Sequence, residues 1–267
     1  MSWCILVNTT PKYMKYAEVQ ITCMRRYAKE LDIVPIFLAT ELTATDSYVS
    51  RILNQTNTHH VHLQPNETGF LESRIAAVSY IFNEFDYILP LQEDFWLDRS
   101  PDYILLKNAL YILETDSRVR SIRLMPSPGP SVFAEPYGNC CNWKVLTDAD
   151  EYKFTFQATL WRASVYFEFF NILLYQAKRD FAITGHPESD WSRFCIRVNV
   201  AENFRGQKLF FDTCMGPDRL HLSVIRAHEK PNAVFLAPWP YRPTAVVQGS
   251  LEPWAKEFAE REGFLLD

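Results

Sequence analysis

The sequence carries no glycine-rich dinucleotide fingerprint and no phosphate-loop motif, which argues against a nicotinamide dehydrogenase and against a nucleoside triphosphatase. It has no uninterrupted apolar span of membrane length, and its opening, MSWCILVNTTPKYMKY, lacks the basic leader and apolar segment of a secretory signal. A soluble, cytoplasmic chain is therefore expected. The cysteines, at 4, 23, 140, 141, 195 and 214, show no paired ligand spacing, so buried reduced thiols are the expectation rather than a zinc site. Histidines offer no zinc constellation either: His221 and His228 flank a short apolar segment, where structural or surface roles are commoner. Long blocks of one charge are absent as well. The 27 Lys plus Arg and 32 Asp plus Glu give a net charge of -5, which argues against a broad nucleic-acid surface and leaves room for a small basic pocket. No internal repeat or heptad pattern is present.

What the chain does have is core-forming material. Its 267 residues are 48% hydrophobic, enough for one large domain over 1–267. CILV within Trp3 to Val7 reads as a short buried strand, followed by the turn NTTPK and a helical pattern from about Tyr13 to Leu31. IVPIFLA, Ile33 to Ala39, is a second strand candidate. Helix periodicity over Phe70 to Phe82 then rises into the strand of FDYILPLQEDF. A helix is expected from Pro101 to about Thr115, and a strand over VRSIRLM. This alternation predicts an α/β sheet.

Between Pro126 and Thr147 the proline, glycine and aromatic content of PSPGPSVFAEPYGNCCNW predicts a structured loop or small lobe. KFTFQATLWR then reads as a strand and SVYFEFFNILLYQAK as a helix. KLFFDTC and NAVFLAP are further strand candidates, and EPWAKEFAEREG a terminal amphipathic helix.

The stretch LPLQEDFWLD, Leu89 to Asp98, puts Gln92, Glu93 and Asp94 at the carboxyl end of an internal strand, where ligand loops of open α/β sheets gather. If the strand continued through both acids, their side chains would point oppositely and could not form a facing dyad. A strand-end carboxylate suits a hard oxygen-preferring ion, Mg2+ or Mn2+, and through it a diphosphate. The plainer alternative is a turn cap or a solvent-facing acid. Thr9 and Thr10 in NTTPK offer hydroxyls to a nucleotide base or ribose, or simply cap the turn.

YILPLQEDFWLD resembles the acidic motif of nucleotide-sugar glycosyltransferases of the three-layer α/β type, found among bacterial surface-polysaccharide and large-virus glycan enzymes. FLESRIAAVSYIFNEFDYIL is similar to the helix before that motif, FTFQATLWR to a segment of the donor and acceptor cleft, and HPESDW to a later acidic loop. YRPTAVVQGSLEPW is similar to a terminal aromatic and glycine segment. The resemblance implies a mixed central sheet flanked by helices (GT-A-like), with a nucleotide-binding half over 1–125 and an acceptor and catalytic half over 126–267. It implies Asp94 as ligand of Mn2+ or Mg2+, with Gln92 and Glu93 around the donor. Many relatives have Asp, any residue, Asp where this chain has Gln92-Glu93-Asp94, so only the second acid is matched.

Arg74, on the preceding helix, becomes a candidate for a nucleotide phosphate or base, beside the commoner role of covering a solvated helix face. Gln157 and Trp161 become candidates for the sugar cleft, Trp161 equally a core anchor. Transfer with inversion also needs a base remote from the leaving group. The resemblance makes Asp190 its leading candidate and Glu188 the next, beside Trp191 in GHPESDWSRF, although either acid is also suited to cap a helix.

The expected activity is transfer of a sugar from a nucleotide-sugar donor to a glycan hydroxyl, with peripheral membrane association allowed by lipid-linked substrates. Two other readings stand beside it. One is a carbohydrate- or nucleotide-binding protein without chemistry on the same scaffold. The other is a glycoside hydrolase, which needs a carboxylate pair about 5 to 9 Å apart.

Overall fold

The computed structural model describes residues 2–67, 69–125, 130, 134–146, 156–184, 220–224, 238–240, 245–247 and 249–266. Strand β1 (Trp3–Asn8) buries Cys4, Ile5, Leu6 and Val7 completely or nearly so. A continuous apolar run of this kind suits a strand covered on both faces, and β1 lies inside the sheet. Helix α1 (Met14–Tyr27) returns the chain to β2 (Ile36–Thr40), and α2 (Ser47–Leu53) returns it to β3 (Thr58–His62). Helix α3 (Phe70–Ser79) leads to β4 (Tyr87–Gln92), and α4 (Tyr103–Thr115) to β5 (Val119–Arg123). Two of these helices start on an aspartate. Asp46 accepts hydrogen bonds from the amides of Tyr48 and Val49, and Asp102 from those of Ile104 and Leu105.

The chain continues through the hairpin β6 (Pro136–Tyr137) and β7 (Cys140–Val145), then β8 (Thr159–Arg162), α5 (Ala163–Thr184) and β9 (Leu220–Val224). Strands β10 (Val246–Val247) and β11 (Ser250–Leu251) form a separate hairpin before α6 (Pro253–Arg261). Among the described residues the main sheet has nine strands in the order β3-β2-β1-β4-β8-β5-β9-β7-β6. Strands β1 to β4 run parallel, β8 is antiparallel between β4 and β5, and β9 is parallel to β5.

Apolar residues of α1, α2 and α4 cover one face of the sheet, and those of α3 and α5 the other. This is the expected mixed central sheet flanked by helices. Helix α6 forms a third cluster, where Phe258 and Ala259 meet Tyr16, Val19 and Cys23 of α1 and the buried Trp96.

Three expectations change. The segment within Pro126 to Thr147 is not only loop: β6 and β7 extend the sheet beyond β9, with Trp143 fully buried. Strand β4 stops at Gln92, so Glu93 and Asp94 occupy a turn and the strand's alternation does not govern them. His221 and the start of the apolar segment after it belong to an interior strand, β9. KLFFDTC and NAVFLAP lie outside the described residues.

Register decides where a site forms. Asn8 pairs with Ala39 on one side and Gln92 on the other, and Thr40 pairs with His62. The parallel strands therefore end level with one another and release their following segments along one edge of the sheet.

Candidate active site

That edge carries a cleft of about 370 Å³. Asn8, Thr9, Thr10 and Tyr13 line it from β1 and the turn after it, Glu41 from the end of β2, and Leu63 from the end of β3. Phe70, Ser73 and Arg74 line it from the first turns of α3, and Gln92 and Glu93 from the end of β4. A smaller pocket adjoins it, sharing Asn8, Arg74 and Gln92 and reaching Phe156, Gln157, Trp161 and Tyr166.

Arg74 sits where the two meet. It is 8% exposed, so the solvated-face alternative does not describe it. Its guanidinium lies 3.6 Å from the centre of the Phe70 ring and 5.0 Å from that of Phe156, and its Nη1 donates to the Phe70 carbonyl at 2.7 Å. Burial lowers its pKa, opposed by Tyr166 and by Glu93. Arginine starts so high that the group stays cationic. One fixed positive charge therefore faces the cleft from its wall.

The acids at the end of β4 divide their roles. Glu93 lines the cleft, and burial pushes its carboxyl up to about 7; Asp94 reinforces this, while a backbone hydrogen bond and Arg74 oppose it. Asp94 is 7% exposed and is not among the lining residues. Burial pushes it up to about 6, and its Oδ1 has no hydrogen-bond partner among the described residues.

The turn that carries the acids is held by its carbonyls. The side-chain amide of Gln20 donates to those of Gln92 and Phe95. Indole Nε1 of Trp96 donates to that of Glu93 at 3.0 Å, and the amide of Ala245 to that of Asp94 at 3.0 Å.

The remaining candidates separate. Thr9 is buried on the cleft wall and Thr10 is exposed beside it. The Thr10 side chain makes no capping hydrogen bond to the turn it precedes, which leaves its hydroxyl available. Gln157 and Trp161 line the smaller pocket. Trp161 is only 1% exposed and packs on Phe169 and Tyr166, so it is a core anchor with an edge on the pocket. His221 is buried in β9 with Nδ1 2.7 Å from the Ser121 hydroxyl, consistent with the structural role. Asp190, Glu188 and Trp191 lie outside the described residues.

Sequence reasoning missed Asn8, Ser73, Phe70 and Glu41. Glu41 directly follows β2 and has a buried Oε2 with no hydrogen-bond partner among the described residues. The strand-end rule that singled out Glu93 would have found it, had it been applied to IFLAT as well.

No three His, Cys, Asp or Glu side chains converge to hold a metal among the described residues. Mg2+ in particular needs no such cage: it is commonly bound through one or two carboxylates, with substrate phosphates and water completing its shell. Glu93 on the wall and the unpartnered oxygen of Asp94 behind it are oxygen donors of the type such an ion takes.

No protein-family model matches the chain, and neither does any curated protein. Solved structures do. Staphylococcus aureus TarS in complex with UDP is similar over 88% of this chain and 63% of that one, at 13% identity and a TM-score of 0.47. WbbM, a bifunctional glycosyltransferase, is similar over 64% and 34%, at 12% identity and a TM-score of 0.40. Glucosyl-3-phosphoglycerate synthase from Mycobacterium tuberculosis, in complex with Mn2+, UDP and glucosyl-3-phosphoglycerate, is similar over 46% and 43%, at 12% identity and a TM-score of 0.31. The chain spans less than two thirds of the length of each TarS structure it matches.

Proposed function

We propose that the chain transfers a sugar from a nucleotide-sugar donor to a glycan hydroxyl, with inversion. The observation that carries this reading is the cleft at the level carboxyl ends of four parallel strands, with Glu93 and the buried cation Arg74 on its walls. Thr9, Thr10 and Asn8 offer polar groups to the nucleoside, and Gln157 and the edge of Trp161 offer an amide and an apolar wall to the sugar. Arg74 donates to a carbonyl and stacks on an aromatic ring, and makes no ion pair shorter than 4.0 Å among the described residues; its counter-charge, Glu93, acts at longer range across the cleft. A preorganised cation at that position stabilises the charge that develops on a departing diphosphate.

Glu93 and Asp94 are the residues that would hold Mn2+ or Mg2+, which when bound neutralises the diphosphate. Asp190, or Glu188, takes the proton of the acceptor hydroxyl, and Trp191 beside them contributes to the acceptor wall. In this reading 1–125 is the nucleotide-binding half and 126–267 the acceptor and catalytic half of one domain. The location is cytoplasmic, with lipid-linked acceptors reached at the membrane surface. No helix among the described residues is long and apolar enough to cross a membrane.

The test is incubation of the purified chain with a panel of nucleotide sugars, glycan acceptors and Mn2+ or Mg2+. Turnover with one donor, lost in Asp190→Asn or Glu188→Gln with donor binding retained, is expected. Donor binding without transfer in any combination would favour the noncatalytic reading. Release of monosaccharide from unactivated glycans would favour a hydrolase.

A further inference from the structure

Among the described residues strand β3 is an edge strand of the sheet, and its sequence THHVH places three imidazoles within four residues. Alternation sends His60 and His62 to one face and His59 to the other. His59 has its own partners, with Nε2 3.0 Å from the Asn57 side-chain oxygen and the ring stacked on Phe37.

The other two imidazoles face each other, with ring centres 5.7 Å apart and planes inclined by 68°. Nδ1 of His62 lies 3.2 Å from the Leu42 carbonyl. A carbonyl only accepts, so this bond places the ring proton on Nδ1 and leaves Nε2 of His62 with its lone pair. Nε2 of His60 is shielded from solvent and has no hydrogen-bond partner among the described residues. A shielded, unpartnered ring nitrogen is costly unless something binds it.

We infer that His60 and His62 form a two-imidazole site for a divalent late first-row transition ion such as Zn2+ or Ni2+, seated on the edge strand. The Leu42 carbonyl is the outer partner that orients one of the two rings, as backbone carbonyls do for metal-bound histidines. No third His, Cys, Asp or Glu joins them among the described residues, so water completes the shell and the affinity is modest. Imidazole nitrogen selects these ions over Mg2+, which prefers oxygen, so the site is chemically distinct from the donor cleft and its test does not depend on the proposed activity. Occupancy would tie two neighbouring side chains on one face of the strand into one rigid unit.

The experiment titrates the full chain with Zn2+ and Ni2+ against a chromophoric chelator. One ion per chain is expected, bound unchanged in excess Mg2+. His60→Gln and His62→Gln should each weaken it about tenfold or more, while His59→Gln leaves it unaltered. Ethoxycarbonylation of the wild-type chain by diethyl pyrocarbonate, read by mass spectrometry, needs no variant to fold: Zn2+ should protect His62 and leave His59 reactive. Absence of binding at millimolar ion, or equal protection of all three rings, overturns the inference, as does wild-type affinity in folded His60→Gln and His62→Gln.

Discussion

Replacing Glu93 with glutamine removes a charge that the folded chain holds against its tendency to protonate. In the unfolded chain this carboxyl titrates near the ordinary 4.5, whereas burial pushes it up to about 7 in the fold. Below both values the group is neutral in either state and contributes nothing to the pH dependence. Between them the folded chain binds more protons, so stability falls as pH rises, and above about 7 the full penalty is present. The gap corresponds to about 3 kcal/mol at full ionisation. Urea denaturation of wild type and Glu93→Gln should therefore show the variant more stable by about 3 kcal/mol near pH 8 and by only about 1 kcal/mol near pH 5. The sign is unusual, because most paired carboxylates stabilise as pH rises. A difference that does not grow with pH, or a variant less stable at alkaline pH, would refute the placement of a half-buried, ionisable Glu93 at this turn. The same variant should bind a nucleotide sugar more weakly in the presence of Mn2+, which separates a site acid from a merely strained one.

Arg74→Met removes the cation that stacks on Phe70, and should weaken nucleotide-sugar binding by about tenfold or more in calorimetry, since a charge-assisted contact contributes about 1.5 to 3 kcal/mol. Arg25 donates to three carbonyls, of Leu31, Val34 and Asn57, that shape the connections into β2 and β3. Arg25→Met should cost about 1 to 3 kcal/mol in urea denaturation: the Val34 carbonyl loses its side-chain donor, while those of Leu31 and Asn57 keep the amides of Val34 and Ile36. Trp96→Ala empties a fully buried site between α1 and α6 and should cost about 3 to 5 kcal/mol. It also frees the Glu93 carbonyl, so donor affinity should fall with stability, whereas Trp143→Ala, remote from the cleft, should lower stability alone.

The parts of the fold legible in the sequence are those whose burial is written in periodicity. CILV and YILPL read as interior strands because both faces are covered, while the helix expected from Pro101 begins at Tyr103, with Asp102 and not the proline as its cap. Strand β3 was illegible because only one of its five residues, Val61, is buried, and a threonine and three histidines fill the rest. Strand β7 was hidden because CCNWKV follows a proline- and glycine-rich stretch, and its pairing partner β9 is distant in sequence. The strand-end acids were legible because polarity breaks sharply after LPL, but which of them faces the cleft depends on where the strand stops, and Gln92 gives no local signal for that. Arg74 looked amphipathic on its helix. Its burial comes from Phe156, more than eighty residues later, which no local pattern reveals.

The turn at Gln92 to Phe95 has one more implication. Each of its four successive carbonyls receives a donor from outside the turn: from Gln20 twice, from Trp96 and from Ala245. With every peptide plane spoken for, the segment cannot rotate to follow a ligand, and it acts as the fixed jaw of the cleft. Any closure must then be carried by the opposite wall, and residue 93 becomes a position where side chains are exchanged without disturbing the frame that presents them.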